Sequence, residues 1–81
     1  MARYIAGRID WDRFRTDLRR YQRQQDLNNA QLARQLHVSA AALTRYHTGE
    51  RLPSSEVFAF SLLLMGRELR DYVVGWPGAT A

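Results

Sequence analysis

Few side chains in this sequence could carry out acid–base, metal or nucleophilic chemistry, and they are scattered. The 81-residue chain has no cysteine and two histidines, His37 and His47. Neither histidine has a carboxylate at metal-ligand spacing, and no Gly-rich phosphate loop, acid pair or nucleophile motif is present. The pattern argues against an enzyme, and no metal, cofactor or small-molecule ligand is expected. Arginine supplies a different chemistry. All twelve basic residues are arginine, against eight acidic ones, giving a net charge of +4. A guanidinium fork matches a phosphate or the O6 and N7 of guanine, and a basic domain attracts polyanions. The charge ranks nucleic acid above the other partner classes without specifying one.

A composition of 46% hydrophobic and 25% charged residues suits one small globular domain. The N-terminal MARYIAGRIDW lacks the unbroken apolar core of a signal peptide. The longest apolar stretch, VFAFSLLLM at 57–65, is too short to span a bilayer. A soluble, cytoplasmic protein with no membrane partner is therefore expected. The chain divides into an N-terminal arm (1–9), a helical domain (10–75) and a C-terminal tail (76–81).

Periodicity and capping signals predict five helices. Asp10 is placed as an N-cap, and Ile9 and Phe14 have the spacing of a hydrophobic staple. Trp11, Phe14, Leu18 and Tyr21 then form one apolar stripe, so the first helix runs from about 11 to 25. Asn28 can cap a short second helix with Leu32, Ala33 and Leu36 inward. His37 and Val38 make a tight turn, and Ser39 can cap a third helix with Leu43 and Tyr46 inward. Gly49 ends it, and Pro53 sits in the next connection. A fourth helix starts near Ser54 or Ser55 and stops at Gly66, with Phe58, Leu62 and Met65 inward. A fifth segment, RELRDYVVGW, puts Leu69, Tyr72 and Val73 on one side.

Two short helices joined this way make a helix-turn-helix when three conditions meet. A small residue sits at their crossing (Ala33), an apolar turn residue tucks inward (Val38), and the second helix buries one side only. From Leu18 to Tyr72 the chain resembles the Cro and phage-repressor type of helix-turn-helix domain. The resemblance rests on Leu27-Asn28, Leu32-Ala33, Leu36-His37-Val38-Ser39, Leu43, Thr48-Gly49-Glu50, Pro53 and Met65-Gly66. It implies an all-α, five-helix, lambda-repressor-like domain preceded by an arm. It also implies a sequence-specific regulator of transcription, bacterial or phage, on double-stranded DNA. Two positions depart from the family pattern. The family usually has glycine where His37 stands, because the turn needs a positive φ, a conformation in which histidine is enriched among other residues. The family also tends to pair an arginine on the first helix with a glutamate near the end of the third. Here those positions hold Gln22 and His47, a tie with its charges removed, which makes His47 a framework residue.

The resemblance assigns roles to the third helix and its flanks. Ala40, Ala41, Thr44 and Arg45 would meet base edges in the major groove. Alanine can touch only a thymine methyl there, so Arg45 becomes the principal reader. Asn28, Asn29, Gln31, Ser39, Thr48 and Arg51 would hold phosphates, helped by the amides at the start of the second helix. Arg3 and Arg8 could thread the minor groove as a basic arm, although the arm could equally fold back over the domain.

The fourth helix is apolar on more than one face. Val57, Phe60, Leu63 and Leu64 exceed what one core needs, and something must cover them. The arm, through Tyr4, Ile5 and Ile9, could do so, as could Trp76 from the tail. The preferred reading is a homodimer interface. A rival reading is a protein-interaction module, such as an antitoxin or adaptor, that binds through this helix.

Overall fold

Residues 9–74 are described by a computed structural model. Four α-helices follow one another: α1 (Trp11–Gln24), α2 (Asn29–Leu36), α3 (Ala40–Thr48) and α4 (Ser55–Met65), then one 3-10 turn (Leu69–Tyr72). Each α-helix start is closed by the side chain its sequence offers. Asp10 Oδ1 accepts from the Arg13 amide at 3.1 Å, and Ser39 Oγ from the Ala42 amide at 3.0 Å. Ser54 Oγ accepts from the Val57 amide at 3.2 Å. Asn28 and Gln31 form a reciprocal capping box, each side-chain oxygen accepting from the other's amide at 2.8 Å. Among the described residues no helix is long and apolar enough to cross a membrane.

The helix ends reverse direction through left-handed residues. Asp26 (φ 54°) follows α1, His37 (φ 60°) follows α2, and Gly49 and Gly66 follow α3 and α4. At His37 the Val38 amide donates to Ala33 O (3.0 Å) and the His37 amide to Arg34 O (3.2 Å), the paired bonds of a Schellman motif. Asp26 repeats the device, with the Leu27 amide on Gln22 O at 2.9 Å. Histidine and aspartate both tolerate this conformation better than most side chains.

The core gathers one stripe from every element. Phe14, Leu18, Leu32, Leu36, Leu43 and Tyr72 are almost wholly buried, and Ala33 is the small residue that α2 contributes. Phe14 sits among Trp11, Phe58 and Tyr72 with ring centroids 5.0–5.8 Å apart, largely edge to face. Tyr72 also latches the C-terminal turn. Its hydroxyl donates to Asp17 Oδ2 at 2.8 Å, and burial and then this bond push the phenol well above its ordinary pKa. Arg20 and Arg67 flank the same carboxylate at 3.6 and 3.9 Å. Beside the latch, the Asp10 amide donates to Tyr72 O at 2.7 Å, and Ile9 pairs with Val73 in an antiparallel bridge.

Two sequence expectations need correction. The fifth helix is only the 3-10 turn. Asp71 Oδ2 accepts from the Glu68 amide, and the extended backbone of Val73 commits the chain to Ile9 instead of another helical turn. Leu69 is accordingly exposed. On α4 the inward face is Val57, Phe58, Ser61 and Leu62, so Val57 belongs to the core and cannot form a partner interface. Ser61 takes the inward place without cost because its hydroxyl donates to Val57 O at 2.8 Å. Phe60 and Leu63 point outward, Leu63 at 76% exposure, while Leu64 and Met65 are half-buried.

Tyr72→Phe should cost about 1–3 kcal/mol in urea unfolding, because it strips a donor from the buried Asp17 carboxylate. His37→Val should cost about 1–2 kcal/mol, since a β-branched side chain resists the left-handed turn, whereas His37→Gly, which accepts the turn and loses only the ring contact, should cost less.

Candidate nucleic-acid interface

Helix α3 buries one side and bares the other. Leu43 (0% exposed) and Tyr46 (6%) lock it to the core, so the i, i+3, i+4, i+7 set Ala41, Thr44, Arg45 and Thr48 faces outward with Ala40 at the tip. All four residues expected to meet base edges therefore lie on one exposed helical face. Ser39 stands at its start, its oxygen capping Ala42 and its proton free to donate. Arg51 follows its end, where the Arg51 amide donates to Arg45 O at 3.3 Å and ties the loop to the helix.

Asn28, Asn29 and Gln31 cluster at the start of α2. The capping box occupies the oxygens of Asn28 and Gln31 and leaves their amide NH2 groups outward. Thr48 is less available, because its hydroxyl proton is shared between Arg45 O (3.1 Å) and the Glu50 carboxylate (3.3 Å). Arg3 and Arg8 lie outside the described residues, as do Tyr4, Ile5 and Trp76.

Behind the exposed face runs a hydrogen-bonded chain. His47 Nε2 meets Gln22 Oε1 at 2.9 Å, so α1 and the end of α3 are tied without charges, as the sequence suggests. Gln22 Nε2 donates to Asn29 Oδ1 at 2.9 Å, and Asn29 Nδ2 donates to Thr44 Oγ1 at 3.3 Å. Thr44 Oγ1 in turn donates to Ala40 O at 3.1 Å. Asn29 is thus largely committed within the protein, with one amide proton left for a phosphate.

Sequence reasoning missed the arginines that hold the end of α3. Arg19 Nη2 donates to His47 O, and the Arg15 guanidinium, paired with Asp12, lies beside Gly49. Two cations there complement the negative end of the helix dipole. The i, i+4 spacing of Arg15, Arg19 and Arg23 was the available signal, but backbone carbonyl partners leave no mark in a sequence. Arg19, Arg23, Asn29 and His47 line one open cleft between α1, the start of α2 and the end of α3.

Burial, and secondarily the Arg19 charge, hold the His47 imidazole below its ordinary pKa of 6.5. Protonation therefore favours the unfolded chain. The contribution of neutral His47 is complete above pH 6.5 and is lost as pH falls from there through the lower folded value. Urea midpoints should accordingly drop as the pH is lowered through that window, and His47→Gln, which keeps a donor for Gln22, should flatten the drop.

Comparison with known proteins fits this geometry. A family model described as a helix-turn-helix domain matches residues 13–59, which run from α1 into α4 and cover more than half of the chain. No curated protein and no solved structure matches significantly. With two helices joined by a left-handed turn and the second bared along one face, the chain belongs to the helix-turn-helix domain family, a family of DNA-binding domains.

Proposed function

We propose that the protein is a sequence-specific regulator of transcription, of the Cro or phage-repressor type, that lays α3 in the major groove of double-stranded DNA. One observation carries the reading: Ala40, Ala41, Thr44 and Arg45 share the single exposed face of a helix whose other face is locked into the core. Such a helix can approach the groove closely because its tip is only methyl groups. Arg45 supplies the fork for guanine, and the alanines suit thymine methyls. Few direct contacts of this kind favour a modest base preference supplemented by DNA shape. Asn28, Asn29, Gln31 and Ser39 border the helix as phosphate ligands, with Arg51 beyond its end. Arg23, which lines the same open cleft as Asn29, adds positive charge there.

The working form is a homodimer that uses Phe60 and Leu63 on the outer side of α4, with half-buried Leu64 at their edge, and it acts in the cytoplasm of a bacterial or phage-infected cell. A two-fold pair would set its recognition helices about 34 Å apart and select a palindrome. Exposed Leu63 also suits the rival interaction module, which binds another protein and selects no DNA sequence.

Selection of bound fragments from a random duplex pool, followed by sequencing, separates these readings. A palindrome with half-sites one turn apart is expected, and no enrichment would favour the interaction module. Arg45→Ala should cost about 1–3 kcal/mol on the selected site and relax one position of the motif. Arg51→Ala should weaken all sequences alike and reduce the slope of log affinity against log salt by about 1. An unchanged motif with Arg45→Ala would remove the role given to that residue.

A further inference from the structure

A threonine hydroxyl in the major groove ordinarily reads ambiguously, because it can donate to one base or accept from another. The chain of bonds behind α3 removes that ambiguity for Thr44. Its polarity follows from one end. Ala40 O is a backbone carbonyl and can only accept, so the single Thr44 proton is directed to it at 3.1 Å. Thr44 Oγ1 must then accept from Asn29, which turns the Asn29 NH2 toward Thr44 and its oxygen toward Gln22. Gln22 must in turn present its NH2 to Asn29 and its oxygen to His47, so the His47 proton sits on Nε2. His47 Nδ1, buried and without a partner, is left as the bare nitrogen. Reversing any one link would set two acceptors or two donors face to face somewhere along the chain.

With its proton spent and one lone pair taken by Asn29, Thr44 has a lone pair and a methyl group left for the outside. We propose that Thr44, held between Ala40 O and Asn29 Nδ2 at the end of a Gln22–Asn29 relay, reads the major groove only as an acceptor. It thereby selects an amino-bearing base, adenine or cytosine, over guanine or thymine on the strand it faces. Adenine N6 and cytosine N4 offer protons at the groove edge, whereas guanine O6 and N7 and thymine O4 offer lone pairs that Thr44 cannot satisfy. Gln22 and Asn29 are positioning residues: they fix which way the hydroxyl points without meeting the base themselves. The inference rests on α3 entering the major groove.

Two measurements test it. In the free protein, the ring 15N shifts of His47 should report a proton on Nε2 and a bare Nδ1 above the imidazole pKa. A proton on Nδ1 instead would overturn the relay whatever the protein does to DNA. Duplex selection is then repeated with Thr44→Val and Asn29→Ala. The wild-type motif should contain one position per half-site restricted to adenine or cytosine. Thr44→Val should reduce that discrimination about ten-fold, and Asn29→Ala should reduce it several-fold at the same position, with the other positions unchanged. A position affected by Thr44→Val that prefers guanine or thymine would overturn the acceptor assignment. Equal loss across all positions with Asn29→Ala, with no extra loss at the Thr44 position, would leave Asn29 its phosphate role alone and overturn the relay's part in reading. A wild-type pool without any motif would remove the major-groove reading, and this inference with it, while a correct His47 tautomer would show that the relay itself stands.

Discussion

The direction in which α3 leaves α2 depends on the backbone of His37. With φ at 60° the chain turns back on itself, and two amides, those of His37 and Val38, close onto the last carbonyls of α2. Val38 is thereby drawn toward the core and Ser39 is left at the start of α3 as its cap. Everything about the exposed face follows by helical periodicity. Once Ser39 fixes where α3 begins, Leu43 and Tyr46 fall inward and Thr44 and Arg45 fall outward, because successive residues step round by about 100°. A turn opened by one residue would swing the recognition face away from the solvent. Histidine also gives this turn something glycine cannot. Its ring lies 5.7 Å from that of Phe60, so the turn is tied to the outer side of α4.

Among the described residues, the arginines differ in ways that a net charge does not show. Arg15 and Arg19 hold the C-terminal end of α3, Arg20 and Arg67 flank Asp17, and Arg70 pairs with Glu68. Arg13 lies over the Tyr72 ring at 5.8 Å. These cations are partly answered within the fold. Arg45 and Arg51 stand on the recognition side, bound to the framework through their backbones and not through their guanidinium groups. The guanidinium groups of Arg45 and Arg51 are thereby left available to a polyanion on the exposed side of α3.

Much of the architecture was legible because the chain writes its helix boundaries in local chemistry. Asp10, Asn28, Ser39 and Ser54 are short polar side chains in front of periodic apolar runs, and Gly49 and Gly66 permit the left-handed stops. The Gln22–His47 tie was legible through a family pattern in which both positions still carry hydrogen-bonding groups. Helix α4 was harder. Its sequence, SEVFAFSLLLM, is apolar nearly all round, so periodicity cannot choose a face and does not assign Val57 to the core. Ser61 reads as a surface residue until its bond to Val57 O is seen. The C-terminal segment reads as a helix because Leu69, Tyr72 and Val73 have helical spacing. Burial of Tyr72 and pairing with Ile9 are long-range events that no window around residue 70 contains. Asn29 was legible as a polar residue at a helix start, but its two partners come from α1 and α3.

The bond from Asp10 to the Tyr72 carbonyl has a geometric consequence for whatever is attached to the domain. The points where the chain enters and leaves residues 10–73 lie within one hydrogen bond of each other, although more than sixty positions separate them in sequence. The domain is in effect a closed loop with a single gate. Any segment joined on the N-terminal side and any joined on the C-terminal side start from the same place. Two partners held by such segments would therefore be presented to each other at high effective concentration.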